Sequence, residues 1–86
     1  MSEGFPVSFS TFIVSLASSA MVHLGETPNP EDGSTSHDLA LARNSIDLIA
    51  MLKEKTEGNL TDDEKKLVDT LLYDLRMRFV EAKKKA

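Results

Sequence analysis

The sequence predicts an all-α single domain, and three observations carry that expectation. Apolar residues recur at helical spacing in three separate stretches, and no stretch sustains the alternation of a strand. Gly, Pro and capping residues punctuate the intervals between them. The 86 residues allow one domain, residues 1–86, with a flexible N-terminus over 1–8, an acidic loop over 25–36 and a basic tail over 83–86. Helices are expected at about 9–24, 37–57 and 62–82, the last two forming an antiparallel hairpin and the whole completed by self-association.

The first helix is bounded by Pro6 and Ser8 as start signals and by Gly25 and Pro28 as stop signals. At about 100° per residue, Phe9, Phe12, Ile13, Val14, Leu16, Ala17, Ala20, Met21 and Leu24 cover an arc of roughly 200°. The remaining face, Thr11, Ser15, Ser18, Ser19 and Val22, is small and uncharged, so no side of this helix is built for open water. Gly25–Ser36 follows as a loop interrupted by Pro28, Pro30 and Gly33. It is longer than the usual connection between helices, which points to a mobile excursion or a binding segment.

The second helix is expected to begin near His37, with Ser36 as N-cap and Asp38 complementing the helix dipole. Leu39, Ala42, Ile46 and Ile49 form one stripe and Leu41, Leu48 and Leu52 an adjoining one, opposite Arg43, Asn44, Asp47 and Glu54. Gly58 ends it in the left-handed conformation. Thr61 and Glu64 then read as a capping box for the third helix, whose main stripe is Leu67, Val68, Leu71, Leu72, Leu75 and Phe79. The short turn between these helices forces them antiparallel.

Three helices in so short a chain can hide about one stripe each, and this sequence has more. Tyr73, Met77 and Val80 make a second row on the third helix, away from its main stripe. The surplus predicts a homo-oligomer, a twofold dimer before other states, with Ser15, Ser18, Ser19, Val22, Tyr73, Met77 and Val80 as candidate interface. The small residues would let two helix backbones approach closely.

Charge and composition narrow the function classes. The net charge is −4, and the first 36 residues hold four acids and no Lys or Arg. Such a chain is a poor binder of duplex DNA, which requires clustered cations. There is no cysteine, which removes disulfides and thiol nucleophiles. Phe5–Leu24 carries no formal charge, but its serines, Thr11 and His23 dilute it, and no basic residue flanks it as a signal peptide or membrane span would require. A cytoplasmic location is the expectation.

No catalytic constellation emerges. His23, Glu26, Asp32, His37 and Asp38 cluster around the loop, but without the His spacing of a helical zinc site or the Gly and Glu positions of a calcium loop. The serines occupy no nucleophile elbow, and no glycine-rich phosphate cradle is present. Catalytic residues, cofactor and metal are therefore expected to be none, and the chain is not expected to be an enzyme. Arg76, Arg78, Lys83, Lys84 and Lys85 form an alternative nucleic-acid patch, though dipole complementation and i,i+4 pairs (Asp74–Arg78, Glu81–Lys85) account for them as well.

FSTFIVSLASSAMVHLGE (Phe9–Glu26), LARNSIDLIAMLKEKTEGNLT (Leu41–Thr61) and LLYDLRMRFVEA (Leu71–Ala82) together resemble the bacterial family called domain of unknown function 1844 (DUF1844). The resemblance runs from Phe9 to Ala82 and implies a short bacterial protein without a signal sequence. It brings no activity, cofactor or site residue. The function expected from the residues is a cytosolic helical interaction or scaffold protein acting as a homo-oligomer. An RNA- or ribosome-associated factor using the basic cluster is the alternative, and membrane association through the first helix a lesser one.

Overall fold

The computed structural model describes residues 7–35 and 37–85, which form three helices: α1 (Phe9–His23), α2 (Leu39–Lys55) and α3 (Asp62–Lys85). Each begins at a side chain that accepts an otherwise unpaired N–H. Ser8 caps α1 by accepting from the Thr11 amide. Thr61 Oγ1 accepts from the Glu64 amide at 3.1 Å while Glu64 Oε1 accepts from the Thr61 amide at 2.8 Å, the reciprocal capping box expected for α3.

Helix α1 ends in a Schellman motif. The Glu26 amide donates to Met21 and the Gly25 amide to Val22, with Gly25 at φ +80° in the left-handed region that favours glycine.

The second helix starts two residues later than its spacing suggests. The cap is Asp38, whose carboxylate accepts from the Leu41 amide at 3.0 Å, and Ser36 lies outside the described residues. Its other end stops at Lys55, with Thr56 as C-cap and Gly58 left-handed at φ +86° in the turn beyond.

α3 runs on through Lys85, three residues past its expected end, so Lys83, Lys84 and Lys85 of the expected basic tail are helical. The lysines are good helix formers, and cations at a C-terminus complement its partial negative charge. Within this last turn Glu81 approaches Lys84, at 4.0 Å, in place of the expected Lys85.

The buried core takes one narrow stripe from each helix: Ile13, Ala17, Ala20 and Leu24 from α1, Ala42, Ile46 and Ile49 from α2, Val68, Leu72 and Leu75 from α3. All three helices touch one another, and α1 packs most extensively on α2. Ala17, Ala20, Ala42 and the buried Ser45 are small residues, which favours close approach of these two helices. The chain spans 38 × 32 × 16 Å with a radius of gyration of 13.7 Å. A compact domain of this length would measure about 12 Å, so the bundle is broad and thin for its size. A thin bundle leaves much of each helix outside.

The loop between α1 and α2 is closed at its base, where the Asp38 amide donates to the His23 carbonyl at 2.8 Å. Its tip is folded on itself: the Asn29 amide donates to Ser34, the Gly33 amide to Asn29, and the Asn29 and Asp32 side chains accept from the Glu31 and Ser34 amides. Arg78 ties its first residues to α3. Its guanidinium donates to Asp74 at 2.8 Å and to Glu26, 52 residues away, at 3.0 Å.

Candidate interaction surfaces

Burying one stripe per helix leaves nine large apolar side chains exposed among the described residues. Val7 precedes α1; Phe12 and Val14 lie on that helix, Leu41, Leu48 and Met51 on α2, and Tyr73, Met77 and Val80 on α3. Those on α1 and α2 are outward because the wide apolar arcs of these helices exceed what two neighbouring helices can cover; those on α3 stand off its buried stripe of Val68, Leu72 and Leu75.

The candidate interface residues fall into two separate groups. Ser15, Ser18 and Ser19 are exposed on the back of α1, and Val22 beside them is half-buried. Ser15 and Ser18 line a shallow depression of about 550 Å³ with Ser10, Thr11 and Val14, none of them charged. Tyr73, Met77 and Val80 line a different groove, of about 300 Å³, along the seam between α2 and α3. Its lips carry the Lys53–Asp69 ion pair, 2.6 Å apart, and Arg76; the nearly buried Leu72 forms its floor.

The basic cluster is divided. Arg78 is engaged by Asp74 and Glu26, and the Asp74 carboxylate, more than Glu26, raises its affinity for its proton. Arg76 stands two residues away, about 160° round the helix at 100° per residue. It shares the seam with Tyr73, while Lys83, Lys84 and Lys85 are exposed at the end of α3. The five cations thus do not form one patch.

The polar residues around the loop have structural partners of their own. Asp38 caps α2, Glu26 holds Arg78, and Asp32 accepts from the amide and hydroxyl of Ser34. Those Ser34 hydrogen bonds hold the Asp32 carboxyl below its ordinary 3.8. His37 packs its ring on Gly25. No three His, Cys, Asp or Glu among the described residues are placed to hold a metal ion. A cleft of about 460 Å³ opens where the ends of all three helices meet, floored by Leu24, Leu39 and Ala82 and rimmed by Glu26, His37, Glu81 and Lys85. This cleft joins residues far apart in sequence, and only its rim charges were visible beforehand.

Among the described residues, no helix is long and apolar enough to cross a membrane. The fold and its surfaces define a small three-helix bundle with unpaired apolar faces. The family model described as Domain of unknown function (DUF1844) matches residues 6–81, and the chain belongs to that family. No curated protein and no solved structure matches the chain.

Proposed function

We propose that this chain is a helical interaction protein that works as a homodimer in the cytoplasm, without catalysis of its own. The observation that carries the reading is the uncharged back of α1, where Phe12 and Val14 are 53% and 47% exposed beside Ser15 and Ser18. A face without charge is self-complementary under twofold symmetry, since no like charges are brought together. Its small side chains allow two backbones to pack closely. Half-exposed Phe and Val side chains gain on the order of 1 kcal/mol each when covered, before the cost of association.

Sedimentation equilibrium over micromolar concentrations tests this reading. A dimer is the expected result, and Ser15→Glu with Ser18→Glu should convert it to monomer with unchanged helix content. A 9.5 kDa species throughout would overturn it.

A further inference from the structure

The flank of α1 that self-association buries follows from its neighbour α2. On one flank of the buried stripe of α2, Lys53 reaches Asp69 of α3. At about 100° per residue, Leu41, Leu48 and Leu52 lie on the other flank, away from α3. Helix α1 packs antiparallel to α2 from the neck where the Asp38 amide meets the His23 carbonyl, so a local twofold axis relates the pair. The matching flank of α1, with Phe12 and Leu16, therefore borders Leu41 and Leu48, whereas Val14 lies on the side towards α3.

These two flanks make one continuous face. Within about 50° of its outward direction, α1 presents Phe12, Ser15, Ser19 and His23. On the same terms α2 presents Leu41, Asn44, Leu48, Met51 and Lys55. Phe12, Leu41, Leu48 and Met51 are between 37% and 53% exposed. Lys55 is the one residue of this set with a formal charge. Asp47, Glu54 and Arg43 lie further round α2, with Arg43 3.7 Å from Asp47. Glu57 borders the α2–α3 seam with Arg76. At the opposite end of α2 from Lys55 stands Asp38, its carboxylate held on the Leu41 amide.

Those two end charges select the occupant. Lys55 and Asp38 are opposite in sign and about 25 Å apart along α2, with an uncharged apolar surface between them. A second copy turned about a twofold axis perpendicular to the helices carries the same pair at the same spacing, reversed. Each Lys55 then meets Asp38 of the other copy. The same axis passes beside Ser15 and sets each Phe12 near the small Ser19 opposite. A twofold axis along the helices would bring like ends together, and an anionic bilayer would attract Lys55 but repel Asp38. We infer, resting on the homodimer reading, that two copies pack their α1–α2 faces together about the perpendicular axis. Phe12, Leu41, Leu48 and Met51 face inward, Lys55 pairs with Asp38 across the contact, and α3 stays outside it.

Sedimentation equilibrium of the full chain and its variants is the test, with circular dichroism as the control for folding. Leu41→Glu and, separately, Met51→Glu should each raise the dimer dissociation constant at least about tenfold. Both are exposed helix positions and glutamate is a good helix former, so helix content should be unchanged. Lys55→Glu should raise the constant at least about threefold. That loss should shrink in an Asp38→Asn background, which keeps the N-cap and removes its charge. A dimer that Val14→Glu breaks and Leu41→Glu and Met51→Glu leave intact overturns this inference and spares the homodimer itself. An equal effect of Lys55→Glu in both backgrounds overturns the perpendicular axis. A 9.5 kDa species throughout, including one that binds phosphatidylcholine vesicles or a different protein, overturns both readings.

Discussion

The imidazole of His37 fills the space that a side chain on Gly25 would need: a Cβ there would lie 2.7 Å from its Cε1. Two constraints therefore meet at Gly25, a left-handed backbone at φ +80° and a ring packed against it. Gly25→Ala should cost about 1–3 kcal/mol, the left-handed penalty and the displacement of His37 combined. Thermal unfolding should fall by about 4–8 °C per kcal/mol. Gly33, at φ +72° with nothing within 4 Å of its Cβ position, isolates the backbone part. Gly33→Ala should cost less than Gly25→Ala, and adding His37→Ala to Gly25→Ala should recover the difference. Equal losses at both glycines would show that the ring contact is without consequence.

Arg78 binds the start of the loop to α3, and its two carboxylate partners have different reach. Asp74 is one turn away, whereas Glu26 comes from the far side of the sequence. A double-mutant cycle on Glu26→Gln and Arg78→Gln should give a coupling of about 0.5–1 kcal/mol, since both side chains are more than one-third exposed. Urea unfolding at low and high salt measures it, and the coupling should shrink as salt rises. Arg78→Lys should retain only part of it, because an ammonium lacks the planar fork that serves two carboxylates at once.

Neighbouring residues of α2 should differ sharply in what they contribute. Ile49 is fully buried and Leu48 is 37% exposed, one position apart. Ile49→Ala should destabilise by about 2–5 kcal/mol through lost burial and the cavity left behind. Leu48→Ala should cost under about 1 kcal/mol. Denaturant midpoints at constant m-value provide the comparison.

Asp32 makes a pH-dependent contribution at the loop tip. Its folded-state value is depressed below 3.8 by hydrogen bonds from the Ser34 hydroxyl and amide. A depressed carboxyl stabilises the fold above its unfolded value and loses that contribution as pH falls through the folded one. The loss should therefore appear below pH 3.8. A carboxyl-carbon NMR titration should place the Asp32 midpoint under 3.8, and Ser34→Ala should move it up towards that value. A midpoint unmoved by the substitution would remove the Ser34 hydroxyl as a cause, since the Ser34 amide is kept.

What could be read from the sequence was mostly what is encoded locally. Thr61 and Glu64 are three residues apart, and the box they form follows from that spacing alone. Gly58 and the Asp74–Arg78 pair were legible for the same reason. The start of α2 was not, because Ser36 and Asp38 are both good caps two residues apart, and the structure uses Asp38. The end of α3 carried no stop signal, so composition suggested a tail where the helix continues. On α1 the apolar arc was too wide to tell Ile13, fully buried, from Phe12 and Val14 on either side of it. Choosing between them requires knowing where α2 and α3 sit. Tyr73, Met77 and Val80 were recognisable as outward because they stand off a well-defined stripe, but their partition from the α1 serines depended on the tertiary arrangement.

The hydrogen bond from the Asp38 amide to the His23 carbonyl has a consequence for how this chain can change. It joins the end of α1 to the start of α2, so the helices are registered at the neck of the loop and not through its length. Lengthening a loop whose ends are already held costs little closure entropy. The excursion is therefore a natural splice point, where a foreign epitope or a whole small domain could be grafted beside Gly33 while the bundle beneath keeps its register.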